Sequence, residues 1–166
     1  MARSYEQKKA STKFAEGFTA GLVGGLAFIV VLMIADALTR AGDLFHTISL
    51  FGSLFTGATI TSSTGAGTSF LVGALLLLIL FGLLGIGLEF YLPIIYRLSL
   101  HKALFGAIYG ILIWLMVFFF ALGVINQNVA SQANIWVLLV CSVVGGAATG
   151  WALDLIMSRK RRSVDE

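Results

Sequence analysis

Charged residues are scarce in this sequence. Only 11% of its 166 residues are Asp, Glu, Lys or Arg, whereas about a quarter is usual in a soluble domain. The chain has one proline, Pro93, and one cysteine, Cys141. A single cysteine excludes an internal disulfide and a zinc site built from several cysteines. The small number of charges argues against a soluble globular protein.

Catalytic and nucleotide-binding motifs are absent as well. The sequence contains no GxSxG, no HExxH and no Gly-rich loop ending in Lys-Ser or Lys-Thr. The segment SSTGAG, residues 62–67, lacks the lysine of a phosphate-binding loop and is predicted to be a flexible connector. We therefore expect no enzymatic activity and no cofactor or metal site.

Long apolar runs dominate what is present. Hydrophobic residues make up 58% of the chain, and crossing a bilayer takes about 20 of them in succession. Four runs are long enough: residues 18–38, 70–95, 103–125 and 135–157. The first is about twice as long as the apolar region of a signal peptide, so it is predicted to be a retained helix. The predicted fold is all-α, a four-transmembrane-helix bundle over residues 17–158, between tails 1–16 and 159–166.

The basic residues predict the orientation of these helices. Cytoplasmic segments carry an excess of Lys and Arg, and here the first tail, the middle loop and the last tail do so. They hold, in that order, Arg3, Lys8, Lys9 and Lys13; Arg97 and Lys102; and Arg159, Lys160, Arg161 and Arg162. Both termini are therefore predicted to be cytoplasmic. The last cluster is predicted to bind lipid headgroups, with a cytoplasmic partner as the alternative. This clustering beside apolar runs does not fit a nucleic-acid-binding face.

The longest predicted outer loop covers residues 39–69. Its apolar piece, residues 48–55, is predicted either to form a short helix that lies on the outer surface or dips into it, or to remain an ordinary loop. The topology places His46 outside and His101 inside, so the two histidines cannot bind one metal ion or one haem within one chain.

Small residues recur at helix-packing spacing and suggest an internal repeat. Gly21 and Gly25 align with Gly106 and Gly110, and the segment 85–89 aligns with 150–154, each beginning with glycine and ending with an acid. The chain is thus consistent with a duplicated two-helix hairpin. Small-xxx-small spacing lets helices approach closely. The predicted helix-packing residues are Gly21, Gly25, Gly82, Gly85, Gly106, Gly110, Gly146 and Gly150.

Three acids in or near the apolar runs are the candidate functional residues, because ionisable groups inside a membrane are costly. Glu89 and Asp154 are expected near the cytoplasmic face, and Asp36 near the outer end of the first helix. One hypothesis makes the first two a proton or cation site. The other makes them structural charges paired with Arg97, Lys102 or Arg159, or hydrogen-bonded to Tyr91. Asp36 is close enough in sequence to pair with Arg40.

The sequence resembles the YqhR-type conserved four-helix membrane proteins of Gram-positive bacteria. The resemblance is carried by GFTAGLVGGLAF at residues 17–28, LLGIGLEFYLPIIYRLS at 83–99 and FGAIYGILIWLMVFFFALG at 105–123. It departs in the Thr- and Ser-rich outer loop and in the last helix. The resemblance implies a four-helix fold in a bacterial cytoplasmic membrane, and it transfers no site residues.

Two functions remain open at this point. The first is a non-enzymatic structural or accessory subunit or scaffold, packing with a membrane partner subunit or as a homo-oligomer. It is favoured by the small-residue faces and the lack of catalytic motifs. The alternative is a small oligomeric transporter or channel for protons or cations that uses Glu89 and Asp154.

Overall fold

The structure, a computed structural model, is helical, and no strand occurs among the residues it describes. It describes the backbone of residues 2–39, 44–56, 63–97, 101–116 and 134–162, and side chains within 12–39, 44–53, 67–91, 101–116 and 134–158. The helices are α1 (Ala2–Thr39), α2 (His46–Thr56), α3 (Ser63–Arg97), α4 (Lys102–Leu115) and α5 (Ile135–Arg162).

Three of these helices are long and apolar enough to cross a membrane. Their apolar segments are Thr12–Thr39 in α1, Gly67–Tyr91 in α3 and Ile135–Ser158 in α5. The fourth apolar helix, Lys102–Leu115, has 14 residues and is therefore about 21 Å long. The rest of the third predicted span, residues 117–125, lies outside the described residues. The all-helical fold is confirmed for the described residues, the three apolar segments fit a membrane protein, and the count of four spans stays a prediction.

Two helices extend beyond their apolar segments. Helix α1 begins at Ala2, so it includes most of the predicted basic tail. Helix α3 begins at Ser63, so the predicted flexible connector at residues 62–67 is wrong from Ser63 onward. Hydropathy reports where a helix is apolar and not where it ends, and a helix can include residues of weak helix propensity such as Ser, Thr and Gly.

Helix α1 occupies the centre of the molecule. It packs against α3 on one side and α5 on another, while α4 packs against α5 and α2 against α3. One apolar core, formed by α1, α2, α3 and α5, includes Phe28, Leu32, Ile48, Phe81 and Cys141. A second, nearer the other end of α1, includes Ala20, Leu88 and Leu153. The chain therefore buries apolar side chains of α1 from Ala20 to Leu32.

The outer faces of the long helices are apolar as well. Each of these helices carries a stripe of exposed large hydrophobic residues at helical spacing. The stripes are Val23, Leu26, Val30, Ile34 and Leu38 on α1; Leu71, Leu75, Ile79 and Leu83 on α3; and Val140, Val144, Trp151 and Leu155 on α5. Exposed apolar surface this extensive is rare on soluble proteins and suits contact with lipid.

Glycines bring the helices into backbone contact within two helix pairs, α1 with α3 and α4 with α5. A Cβ added at Gly21 in α1 would overlap the carbonyl of Phe81 in α3, and one at Gly85 would overlap the carbonyl of Gly17. In the other pair, a Cβ added at Gly106 in α4 would overlap the carbonyl of Gly146 in α5. Glycine is required here because the two backbones approach closer than any side chain permits.

The crossing of α1 and α5 also uses a small residue. A Cβ at Gly24 would overlap the hydroxyl of Thr149 and lie 2.5 Å from the carbonyl oxygen of Gly145. The Thr149 hydroxyl is buried and donates a 2.9 Å hydrogen bond to that same carbonyl. Thr149 is therefore satisfied within its own helix, at the contact between the two helix pairs.

Helix α2 is the short helix that was one of the two alternatives for residues 48–55, and its first half is buried among the other helices. Ile48 belongs to the main core, and Ser49 and Leu50 are also buried. A Cβ at Gly52 would overlap the carbonyl of Ser69 in α3. Because α2 touches α3 on these small residues, it fits into the half of the bundle that also holds Asp36.

Candidate functional site

Glu89 lies on α3, two residues before the end of its apolar segment Gly67–Tyr91. Its side chain is 6% exposed. Its Oε2 lies 3.0 Å from the position that a Cβ would occupy on Gly17 of α1. The carboxylate therefore sits in the contact between α1 and α3, facing protein. Burying a carboxylate is costly unless other groups compensate it, so this position is the first place to look for chemistry.

Asp154 is in a different environment. Its Oδ1 lies 2.5 Å from Nζ of Lys102, the first residue of α4, and its side chain is 59% exposed. The expectation that Asp154 is a buried charge is therefore wrong. It lies on the outward side of α5 near the end of that helix's apolar segment. Lys102 is 13% exposed and also contacts the sulfur of Met157 at 3.9 Å. The ion pair joins the start of α4 to the last part of α5, and it is one of the pairings that the structural hypothesis expected.

Asp36 holds the start of α2. The backbone N–H of Thr47 donates a 2.8 Å hydrogen bond to Oδ2 of Asp36, and the Thr47 hydroxyl donates a 2.7 Å bond to Oδ1. Both residues are buried. A carboxylate at a helix N-terminus accepts from N–H groups that have no partner within the helix and interacts favourably with the helix dipole. Arg40, the partner expected from sequence, lies outside the described residues.

The middle of the bundle is apolar. Phe28 of α1 and Phe81 of α3 pack with ring centroids 5.1 Å apart, beside Leu32, Leu77 and Cys141. The sequence offers Trp114, Thr149 and Cys141 as polar groups at this depth. Cys141 is buried in the apolar core and Trp114 packs against it, while the Thr149 hydroxyl bonds its own helix. Among the described residues, the core around Phe28 and Phe81 is therefore formed mainly by apolar side chains.

The eight predicted helix-packing glycines all make contacts within the chain. Gly21, Gly25, Gly82 and Gly85 lie between α1 and α3, and Gly106, Gly110, Gly146 and Gly150 lie between α4 and α5. These small-residue faces had suggested a partner chain. Because the protein's own helices cover them, any partner has to contact other surfaces.

Several predicted features cannot be placed. The side chains of Arg97, Arg159, Lys160, Arg161 and Arg162 lie outside the described residues, although the backbone of α5 is helical to Arg162. His46 is the first residue of α2 and His101 precedes α4, so they lie on different elements. No group of three or more potential metal ligands occurs in the described part of the chain.

Sequence reasoning missed the polar residues around α2. Thr47, Ser49 and Ser69 are buried, yet all three lie in what looked like an exposed outer loop. The only available signal was the acid Asp36 near a helix end, followed within about a dozen residues by a Thr that precedes an apolar run. Such a long-range cap has no fixed spacing, unlike a capping box.

Comparison with known proteins identifies no relative. No family model, no curated protein and no solved structure matches this chain. Its function therefore has to be inferred from its own residues and geometry.

Proposed function

We propose that this protein is a non-enzymatic structural or accessory subunit of a bacterial cytoplasmic membrane. One observation carries the proposal: two of the three candidate acids hold helices together. Asp154 pairs with Lys102 across α4 and α5, and Asp36 caps α2. Charges engaged in this way stabilise a scaffold and are poorly placed to carry protons or ions.

The apolar middle of the bundle supports the same role. A conduction path needs polar groups or a water-filled cavity at mid-depth. The Phe28 and Phe81 rings occupy that depth in the described part of the chain. With these rings at mid-depth, the described part of a single copy is proposed to block the passage of ions between the two faces of the membrane.

The exposed stripes are where a neighbouring membrane chain would pack. The glycine faces are covered within the chain, whereas Leu75 of α3 is 59% exposed. Large apolar side chains on a helix surface can contact either lipid or another helix. The proposed membrane partner, or a second copy in a homo-oligomer, therefore contacts a stripe such as that of α3.

The proposal includes an orientation. The basic clusters favour four spans with both termini in the cytoplasm, and the resemblance to YqhR-type proteins favours the bacterial cytoplasmic membrane. With this orientation, Glu89 and the Lys102–Asp154 pair lie towards the cytoplasm and Asp36 lies towards the outside.

Native mass spectrometry of protein extracted gently from its own membrane tests the subunit role. We expect stable co-purifying chains or a defined homo-oligomer. Cross-linking from Leu75→Cys, with Leu77→Cys as the buried control and Cys141 replaced by Ala in both, should then capture the neighbour only from position 75. A monomer with no co-purifying chain would contradict the proposal.

Glu89 favours one alternative, transport of protons or cations by an oligomer. Its carboxylate is buried in a helix contact near one end of the apolar segments. In liposome flux assays, Glu89→Gln should abolish transport. Asp154→Asn should not abolish it, because the Asp154 carboxylate that this change removes is exposed. Flux through Glu89→Gln equal to that of the unmodified protein would exclude this alternative.

A further inference from the structure

The first and last helices bring the two ends of the chain together. Ala20 of α1 and Leu153 of α5 belong to the same buried cluster. Further along α1, Phe28 meets an earlier part of α5, since a Cβ on Gly145 would lie 3.0 Å from the Cβ of Phe28. Later residues of α1 thus meet earlier residues of α5, so the two helices are antiparallel. The start of α1 and the end of α5 therefore lie at the same end of the bundle.

The end of α3 and the start of α4 lie at this end as well. Gly85 of α3 faces the carbonyl of Gly17, and Gly150 of α5 faces the carbonyl of Lys102. Ten of the 11 Lys and Arg residues of the sequence therefore belong to this end of the bundle, and Arg40 is the exception. They are Arg3, Lys8, Lys9 and Lys13 on α1; Arg97 on α3; Lys102 on α4; and Arg159, Lys160, Arg161 and Arg162 on α5.

The basic residues of α1 and α5 adjoin the apolar segments directly. Lys13 is the second residue of the segment Thr12–Thr39, and its side chain is exposed. Lys8 precedes that segment by four residues, and Arg162 follows Ser158, the end of the α5 segment, by four. Four residues of helix span about 6 Å, and the headgroup layer on each side of a bilayer is about 5–7 Å thick. Both basic clusters thus match the depth of lipid phosphates, which favours a lipid over a soluble partner.

The two clusters are also close to each other across the bundle. Helix α5 packs as far as Ile156 against the buried cluster that contains Ala20 and Leu153. Seven residues separate Ala20 from Lys13, and seven separate Leu153 from Lys160, which is about 10 Å of helix in each case. The axes of packed helices are about 8–10 Å apart. One headgroup between the two helices can therefore contact both clusters.

We infer that the start of α1 and the end of α5 together form one binding site for an anionic lipid whose headgroup carries two phosphates. Basic pockets between membrane helices bind headgroups of this class. A phosphodiester carries one negative charge and each helix end carries four cations, so two phosphates in one headgroup engage both helices at once. Linking two binding groups in one molecule raises affinity without any new contact. The predicted lipid contact of residues 159–162 thus becomes a site shared by two helices, and it does not depend on the subunit role.

Native mass spectrometry of the full-length protein released from nanodiscs tests this site. The nanodiscs contain phosphatidylcholine together with diphosphatidylglycerol and phosphatidylglycerol, which supply equal amounts of phosphate. Both faces of a nanodisc are accessible, so the test does not depend on which face of the membrane carries the site. We expect diphosphatidylglycerol to be retained about tenfold or more over phosphatidylglycerol. Equal retention of these two lipids would overturn the inference.

Two triple variants then locate the site, each removing the charge of one helix end. They are Lys8→Gln, Lys9→Gln and Lys13→Gln in α1, and Arg159→Gln, Lys160→Gln and Arg161→Gln in α5. Either variant should abolish the preference for diphosphatidylglycerol, because the second phosphate then has no cationic partner. Changing the same three lysines of α1 to Arg keeps the charge and is the matched control, which should retain the preference. A preference that survives either set of Gln changes would contradict a site shared by the two helices.

Discussion

Two kinds of residue determine the helix contacts: glycines, which have no side chain, and aspartates, whose carboxylates bind groups on a second helix. Gly106 faces the carbonyl of Gly146, and its lack of a side chain sets the spacing of α4 and α5. Asp36 and Asp154 bind groups on a second helix through their carboxylates. Each kind of residue predicts a distinct mutational response.

Gly106→Ala should destabilise the protein. The added methyl group meets backbone that cannot rotate away, and overpacking of this kind costs about 1–3 kcal/mol. Gly67→Ala is the matched control, because a Cβ at Gly67 meets nothing within 4 Å. Unfolding in a titration with dodecyl sulfate, followed by tryptophan fluorescence, should show a loss for the first variant and none for the second. Equal stability of the two variants would mean that α4 and α5 do not pack at Gly106.

Asp36→Ala should also lower the free energy of unfolding. It leaves the buried N–H and hydroxyl of Thr47 without the oxygens they bind, and a buried unsatisfied group costs about 1–3 kcal/mol. Asp36→Asn keeps one side-chain oxygen as an acceptor, so its loss should be smaller. The same titration measures both variants, and an unchanged Asp36→Ala protein would rule out the cap.

The Lys102–Asp154 pair should contribute much less. Exposed ion pairs contribute about 0–1 kcal/mol and are screened by salt, and the Asp154 side chain is 59% exposed. Asp154→Asn should therefore lower stability by no more than about 1 kcal/mol in low salt, and by less at high ionic strength. A large, salt-independent loss would show that the pair is more shielded than this geometry implies.

At the scale of helices, the sequence predicted what depends on hydropathy. The apolar segments of α1, α3 and α5 lie within a few residues of the predicted runs, because a membrane span needs a run of about that length. The start of α3 at Ser63 was not predicted. The depth at which α2 is buried was not predicted either, because it depends on packing against α3, and contact between segments distant in sequence leaves no periodic pattern.

The same limit applies to the candidate site. Glu89 could be selected from sequence because a carboxylate in an apolar run is unusual. The pairing of Asp154 with Lys102 could not be selected from sequence, since it depends on which helices lie side by side. The role of Asp36 was missed because Thr47 is 11 residues away along the chain.

Helix α2 should leave the bundle when its contact with α3 is blocked. A side chain on Gly52 would overlap Ser69, so Gly52→Val should displace α2 and expose Ile48, which is fully buried. A cysteine at position 48, in a protein whose Cys141 is replaced by Ala, reports this through maleimide labelling. We expect protection when Gly52 is retained and labelling when the Gly52→Val change is added. Labelling that is equally fast in both proteins would contradict the position of α2.

At the scale of the whole molecule, two helix pairs join where α1 crosses α5, and the outer surface is apolar. The proposed subunit role and the predicted binding of lipid headgroups by the basic cluster after Ser158 both depend on one claim. The claim is that the chain crosses the membrane four times, with both termini in the cytoplasm. Three long helices alone would place the termini on opposite sides.

Labelling of single cysteines in intact cells tests this claim most directly. With Cys141 replaced by Ala, cysteines would be introduced at Ser4, Ser163 and Asn128 and treated with a maleimide that cannot cross membranes. Four spans predict that position 128 reacts in intact cells, while positions 4 and 163 react only after permeabilisation. Reaction at position 163 but not position 4 in intact cells would mean an odd number of spans and would contradict the account.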